Sequence, residues 1–172
     1  MTESTSSLAT YDEMNSQIES IFDPSLPMVS NLANAASILF WNLNQENRQV
    51  NWAGFYFLDH QKKTLYLSCF QGKVACTSIP LGKGVCGTAA QEKASFVVEN
   101  VHNFPGHIAC DSASESEIVV PLLIDDICIG VIDIDALRTS EFNHIDRQGL
   151  EKVAATISRF LKKNNSTDVL LR

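Results

Sequence analysis

Hydrophobic positions recur at helical spacing in three parts of this 172-residue chain. Residues 11–22 place apolar side chains on one stripe, with Asp12 and Glu13 in the first turn. After two prolines, residues 28–43 repeat the same period, and a third stripe runs along residues 143–163. The pattern predicts an amphipathic helix in each of these segments.

Between the second and third helical segments, the hydrophobic pattern changes to that of β-strands. β-branched and aromatic residues fill 50–58 and 64–70, and the polar residues 59–63 separate them as in a hairpin. The other predicted elements are four strands, at 75–80, 95–99, 117–124 and 128–137, and a short helix at 85–93. Helices, then hairpins, then a closing helix predict one domain of α+β class, with about six antiparallel strands flanked by helices.

Three segments of the chain lack a periodic pattern. Residues 1–9 and 164–172 are polar, so we expect a disordered head and a disordered tail around a single domain at residues 10–163. Residues 100–116 form a long loop between two predicted strands. A loop of that length inside a compact domain is usually either functional or disordered.

Charge and hydropathy argue against several classes of protein. The net charge is −7 with acids and bases scattered, whereas nucleic acids and anionic membranes need a basic surface. The longest apolar run is residues 118–124, far short of the roughly 20 residues of a membrane helix. The first residues do not have the pattern of a secretory signal. We therefore expect a cytoplasmic protein, with the nucleus as a second location, that binds neither nucleic acid nor membrane.

Cysteines are the first candidates for chemistry. The five are Cys69, Cys76, Cys86, Cys110 and Cys128. In a reducing cytosol they begin as thiols, so a disulfide framework is not expected, and the C-x₂₋₄-C pairs of structural zinc sites do not occur. Cys69 and Cys128 lie in apolar strand patterns and are interpreted as small buried hydrophobes. Cys110 lies in the long loop three residues after His107, which can favour the reactive thiolate; an inert cysteine is the alternative.

Cys86 lies near the predicted start of a short helix, just after Gly84. The unpaired N–H groups of a helix N-terminus favour negative charge, so they can lower the pKa of this thiol or hold the carboxylate of a ligand. A glycine-flanked turn whose cysteine only fills space fits the residues equally well.

Carboxylates are the second group of candidates. Asp133 and Asp135 alternate with isoleucines, so both point to the same side of one strand, and Glu117 can join them from the neighbouring strand. Carboxylates that share a partly buried site repel one another unless a cation is present. The cation is either a hard metal, which prefers oxygen ligands, or a ligand ammonium, and the ammonium is the better candidate because the chain has no D-x-D-x-D-G calcium loop. The alternative is an acidic face that looks only at solvent.

Aromatic residues are the third group. Trp52 and Tyr56 share one face of a predicted strand with Gly54 between them, and the missing side chain leaves room for a ligand to approach. The two rings are either a pocket wall or ordinary core.

Six segments carry a more specific signal: 51–56 (NWAGFY), 70–76 (FQGKVAC), 82–87 (GKGVCG), 104–111 (FPGHIACD), 116–121 (SEIVVP) and 130–135 (GVIDID). In this order and spacing they resemble the free methionine-(R)-sulfoxide reductases, which are GAF-domain enzymes. The likeness runs from about residue 28 to 162. It implies a GAF-like fold and thiol-dependent reduction of free L-methionine-(R)-sulfoxide to L-methionine. A GAF-type sensor of small molecules or redox state, without turnover, is the alternative.

The resemblance also implies roles for individual residues. The family's nucleophile matches Cys110, its resolving cysteine matches Cys76, and its remaining active-site cysteine matches Cys86. Its substrate-binding residues match Trp52, Tyr56, Glu117, Asp133 and Asp135.

The implied reaction uses only thiols and acids. Cys110 attacks the sulfoxide sulfur and becomes a sulfenic acid, and Cys76 condenses with it to a disulfide that thioredoxin reduces. No metal and no organic cofactor is implied. Homodimer formation and a part in the response to oxidative stress are further expectations from the family.

Overall fold

Four α-helices and six β-strands form the part of the chain described by this computed structural model, residues 8–45, 47–108 and 110–164. The helices are α1 (Leu8–Ile21), α2 (Met28–Gln45), α3 (Gly84–Glu92) and α4 (His144–Lys163). The strands are β1 (Val50–Asp59), β2 (Thr64–Gly72), β3 (Ser78–Pro80), β4 (Phe96–Val98), β5 (Ser116–Ile124) and β6 (Ile127–Ala136). A short 3₁₀ turn at Val101–Asn103 begins the long loop.

The strands form one antiparallel sheet in the order β3-β2-β1-β6-β5-β4. Its two central strands, β1 and β6, place Gly54 opposite Asp133 and Trp52 opposite Asp135. On its other side, β6 pairs with β5 so that Asp135 lies opposite Glu117. The predicted α+β class and the antiparallel sheet of about six strands are confirmed.

Alternation along the strands divides the sheet into two differently packed faces. Phe55 and Ile134 lie on the face that is covered by α2 and α4, and α1 packs on these two helices. Trp52 and Val131 lie on the opposite face, which is covered by α3 and the long loop. Because side chains of successive strand residues point to opposite faces, the isoleucines of β6 enter the helical core while the acids between them face α3.

A capping box begins α4 and ties it to α1. The Asn143 side chain accepts a hydrogen bond from a backbone N–H of the first turn, and Asp146 accepts one from the Asn143 N–H. The Tyr11 hydroxyl donates to Asp146 at 2.8 Å, and Arg48 pairs with the same carboxylate at 2.8 Å with both side chains fully buried. These contacts join α1, the segment before β1 and the first turn of α4.

Several predicted boundaries move by a few residues. The predicted disordered head, residues 1–9, overlaps α1, which begins at Leu8. The predicted disordered tail begins at Asn164, which is the C-cap of α4. The rest of both assignments, residues 1–7 and 165–172, lies outside the described residues. The strand predicted at 75–80 contains only Ser78–Pro80, because residues 73–77 form a loop that carries Cys76. No helix among the described residues is long and apolar enough to cross a membrane.

Candidate active site

A narrow cavity opens to solvent between the α3-covered face of the sheet and the long loop. The candidate residues that line it are Trp52, Cys86, Cys110, Glu117, Asp133 and Asp135. They come from β1, α3, the long loop, β5 and β6, so the fold brings together residues from five separate parts of the sequence.

A disulfide joins Cys76 to Cys110 beside this cavity, with 5.4 Å between the two Cα atoms. It links the β2–β3 loop to the long loop, and the Cys110 side is exposed whereas Cys76 is half-buried. The remaining cysteines, Cys69, Cys86 and Cys128, are free thiols. Cys128 is buried as predicted, but Cys69 is only half-buried on β2.

Three carboxylates converge on the inner wall of the cavity. Glu117 and Asp133 are only 6% and 7% exposed, and Asp135 is partly buried beside them. The alternative of a solvent-facing acidic strand is therefore wrong, because α3 and the long loop cover this face. The Oδ1 atom of Asp133 is buried without a hydrogen-bond partner among the described residues.

Burial controls the ionisation of these acids. It raises the pKa of Asp133 to about 6. Burial, followed by the charges of Asp133 and Asp135, raises the pKa of Glu117 well above its ordinary value. The pKa of Asp135 is also raised well above its ordinary value, by burial and by the charge of Asp133. The cluster therefore retains protons near neutral pH, so a carboxylic acid is available there as a proton donor.

Cys86 is a buried neutral thiol at the N-terminal end of α3. It is 3% exposed, and its Sγ donates to Glu117 Oε1 at 3.9 Å. Burial and the nearby charges of Asp133 and Glu117 raise the pKa of this thiol well above its ordinary value. The stabilisation expected from a helix N-terminus does not outweigh these effects, so Cys86 is poorly suited to act as a nucleophile.

His107 faces an acid rather than the cysteine that follows it in the loop. Its Nε2 lies 3.7 Å from Glu117 Oε2. Burial and the charge of His102 lower the pKa of His107, so its neutral form is favoured. The sequence suggested that His107 favours the Cys110 thiolate, whereas the acidic side chain that the structure places beside its ring is Glu117.

Trp52 is the aromatic residue that reaches the cavity. Its ring stacks between Tyr56, at 5.8 Å between centroids, and Phe70, at 5.3 Å. A side chain on Gly54 would meet the Cβ of Phe70, the Trp52 ring and the Cys69 carbonyl oxygen, so the space left by this glycine is filled by the protein rather than open to a ligand. The Trp52 Nε1 is a buried donor without a hydrogen-bond partner among the described residues.

Tyr56 lies behind Trp52 and is not part of the cavity lining. Its hydroxyl donates to the Cys76 carbonyl oxygen at 3.0 Å. Tyr56 therefore supports the loop that carries Cys76 in this disulfide-bonded state. Burial, followed by the charge of Asp133, raises the pKa of the phenol, which keeps it protonated as a donor.

One group of side chains has the ligand types of a metal site. Ligand atoms of Cys86, Glu117 and Asp133 lie within 4.8 Å of one another. A thiol and two carboxylates must lose their protons to bind a metal ion, and the raised pKa of each group opposes this. From the sequence, an ammonium was preferred to a metal at Glu117 and Asp133, and Cys86 was not grouped with them because the three residues come from separate elements.

Sequence reasoning assigned no role to Asn51, Asp111 and Ser114, which meet at the edge of the cavity. For two of these residues the sequence does carry a signal. Asn51 directly precedes Trp52 and Asp111 directly follows Cys110, so both belong to segments that resemble the reductase family, 51–56 and 104–111.

Known proteins match both the sequence and this architecture. A family model for the GAF domain matches residues 35–162. The free methionine-R-sulfoxide reductase of Saccharomyces cerevisiae is 46% identical over 143 residues, which cover 82% of this chain and 79% of the yeast protein. The Escherichia coli protein of the same name is 42% identical over 151 residues, 88% of each chain. This chain belongs to the free methionine-R-sulfoxide reductase family.

A solved structure of this family has the same fold. The X-ray structure of free methionine-R-sulfoxide reductase from Neisseria meningitidis, in complex with its substrate, superposes with a TM-score of 0.86. The two sequences are 38% identical, and the match covers 94% of both chains. Membership of the free methionine-R-sulfoxide reductase family confirms the resemblance drawn from the six sequence segments, and the GAF domain confirms the predicted fold.

Proposed function

We propose that this protein reduces free L-methionine-(R)-sulfoxide to L-methionine, with Cys110 as the nucleophile. The observation that carries the proposal is the cavity itself, where an exposed cysteine of the Cys76–Cys110 disulfide meets converging buried carboxylates. The yeast and E. coli relatives, both free methionine-R-sulfoxide reductases, support the choice of substrate.

The acids bind the ammonium group of the free amino acid. Acids that share one buried place ionise together only when a cation lies beside them, so a bound ammonium stabilises their charged forms, and the buried Oδ1 of Asp133 can accept a hydrogen bond from it. Glu117 and Asp135 surround the same charge, and the indole N–H of Trp52 can donate to a substrate oxygen. A methionine inside a peptide lacks the ammonium. A site built on such contacts can lower kcat/KM by roughly 10⁴-fold for an analogue without the group that it binds.

The chemical step transfers oxygen from the substrate to Cys110. The Cys110 thiolate attacks the sulfoxide sulfur, and a protonated acid, Glu117 or Asp133, delivers a proton to the sulfoxide oxygen. The protonated oxygen then passes from the substrate sulfur to the Cys110 sulfur, so that the substrate S–O bond breaks and a new S–O bond forms on Cys110. The bond between the two sulfurs breaks with its electron pair going to the substrate, methionine leaves, and Cys110 is left as a sulfenic acid. The raised pKa values of both carboxyl groups suit them to this role.

The oxidised enzyme returns to the thiol state through the disulfide. The Cys76 thiol attacks the sulfenic sulfur of Cys110, a disulfide forms, and water leaves. Thioredoxin, as the external dithiol, then reduces this disulfide by exchange and is itself oxidised by two electrons. Cys86 takes part as a neutral thiol that hydrogen-bonds Glu117.

A sensor that binds a ligand without turnover is the competing function. It would share the GAF domain and the cavity. The exposed Cys76–Cys110 disulfide beside the acids favours turnover, because a sensor of small molecules needs no accessible disulfide and a sensor of redox state needs no cavity lined by buried acids.

Coupled turnover tests the proposal. We expect the protein, thioredoxin, thioredoxin reductase and NADPH to consume about one NADPH per chain as the Cys76–Cys110 disulfide is reduced, and then to consume NADPH continuously only after free methionine sulfoxide is added, with methionine as the product. Binding of the sulfoxide without continuous NADPH consumption would instead support the sensor. Dithiothreitol in place of thioredoxin separates failure of the reductant from failure of the chemistry.

A further inference from the structure

Asn51 occupies an irregularity in β1 at the edge of the cavity. Val50 pairs with Ala136 and Trp52 pairs with Asp135, so Asn51 is an extra residue between consecutive partners on β6. Val50 packs in the helical core, whereas Trp52 packs on the α3-covered face. A bulge of this kind bends a strand and redirects a side chain, and here the redirected side chain is that of Asn51.

The Asn51 amide binds two residues of the loop that carries Cys110. Its Nδ2 donates to Asp111 Oδ2 at 3.1 Å and to Ser114 Oγ at 3.0 Å. Asp111 directly follows Cys110, and Ser114 is only 4% exposed. Because an ionised carboxylate only accepts hydrogen bonds, the NH₂ group of Asn51 must be the one that faces Asp111.

Asp111 is also held from within its own loop and from the loop that carries Cys76. Its Oδ1 accepts from the Ala113 N–H at 3.0 Å, and the Lys73 ammonium lies 3.5 Å from Oδ2. Hydrogen bonds from Ala113 and Asn51 lower the pKa of Asp111, so the carboxylate is ionised at neutral pH. The Lys73 side chain is 71% exposed, so its contribution is small beside that of Asn51.

We propose that Asn51 and Asp111 are positioning residues that fix the Cys110 loop against β1. Reduction of the disulfide removes the covalent tie between the Cys76 and Cys110 loops, and the Asn51–Asp111 hydrogen bond remains. It keeps Cys110 at the cavity and within reach of Cys76, which raises the effective concentration of one thiol at the other. This inference rests on the proposed function, since it assigns these residues a part in closing the catalytic disulfide.

Exchange of the two side chains tests the inference. Asn51→Asp sets a carboxylate against the Asp111 carboxylate, and Asn51→Ala removes the donor without adding charge. The double variant Asn51→Asp/Asp111→Asn restores a donor–acceptor pair with the roles reversed. Asn42→Asp is the matched control, because the Asn42 amide is also partly buried but bonds to Ile38 and Gln17 within the helical layer.

The readout is the equilibrium between the Cys76–Cys110 disulfide and glutathione, followed by mass spectrometry of the linked peptides. We expect Asn51→Asp to lower the effective molarity of the two thiols about tenfold or more, and Asn51→Ala to lower it by a smaller factor. The double variant should recover to within about threefold of the wild type, and Asn42→Asp should match the wild type.

Two results would overturn the inference. One is an unchanged glutathione equilibrium in both single variants at Asn51. The other is a double variant that unfolds as cooperatively as the wild type but does not recover. The measurement needs no sulfoxide, so it stands even if the protein fails to reduce methionine sulfoxide. Normal disulfide closure without sulfoxide reduction would count against the proposed function alone.

Discussion

Burial separates the chemistry of two cysteines at the same cavity. Cys110 is exposed at the cavity mouth, where a substrate sulfur and a reducing protein can both reach it. Cys86 is 3% exposed beside Glu117 and Asp133, and both burial and these charges favour its protonated thiol. Local sequence left both cysteines as candidates, since the depth of a side chain depends on packing between distant elements.

Cys110→Ser should abolish methionine formation, even with dithiothreitol as the reductant. Cys76→Ser should lose most thioredoxin-driven turnover but still form about one methionine per chain in a single turnover, because sulfenic acid formation does not need its partner. Cys69→Ser is the control that should retain activity, since Cys69 lies on β2 away from the cavity lining. Single-turnover activity in Cys110→Ser would show that Cys110 is not the nucleophile and would make Cys86 the candidate.

Asp133→Asn, Asp135→Asn and Glu117→Gln should each raise KM for free methionine sulfoxide. A hydrogen bond to a charged group contributes about 1.5–3 kcal/mol, which corresponds to about 10- to 150-fold in affinity. The variant that also removes the proton donor should lose kcat and one limb of its pH profile. Wild-type KM and kcat in all three variants would show that the substrate binds elsewhere.

Asp133 should also make the stability of the fold depend on pH. Its pKa is raised from 3.8 to about 6 in the folded protein, so its contribution to stability is present at low pH and is lost as pH rises through about 6. Between pH 4 and pH 8, the unfolding free energy of the wild type should therefore fall by about 1–3 kcal/mol more than that of Asp133→Asn. Urea unfolding at both pH values measures the difference, and equal losses would contradict the raised pKa.

At the scale of secondary-structure elements, the spacing of hydrophobic residues predicted most helices and strands. The features that it missed have physical causes. Residues 75–77 have strand-like composition but belong to the loop held by the disulfide and by Tyr56. The bulge at Asn51 has no composition signal, since it arises from the pairing register between β1 and β6. The orientation of His107 toward Glu117 likewise depends on the path of the long loop rather than on local sequence.

Gly149→Ala should destabilise the packing of α4 on α1. Alanine normally stabilises a helix by about 1 kcal/mol relative to glycine, but a Cβ at Gly149 would collide with the Tyr11 ring. Overpacking of this kind costs about 1–3 kcal/mol, measured as a lower urea midpoint at unchanged m-value. Ala155→Gly at an exposed position of α4 is the control and should cost about 1 kcal/mol from helix propensity alone. A raised midpoint in Gly149→Ala would contradict the packing described here.

Across the whole molecule, the sheet separates a helical core from a face that carries the site. Strand alternation in β6 predicted that Asp133 and Asp135 share a face, and the structure places both in the cavity lining. The resemblance implied a disulfide between Cys76 and Cys110, and the structure joins these two residues. The position of Tyr56 behind Trp52 was not predictable, because it depends on how the rings stack across β1 and β2.

One single-turnover comparison tests the central claim most directly. The fully reduced protein is mixed with free L-methionine-(R)-sulfoxide or with its N-acetyl derivative, and methionine and the Cys76–Cys110 disulfide are measured together. We predict about one methionine and one disulfide per chain with the free amino acid, and a rate at least about 100-fold lower with the N-acetyl compound, which lacks the ammonium. Equal rates with the two compounds would contradict the role of the buried acids and the choice of the free amino acid as substrate.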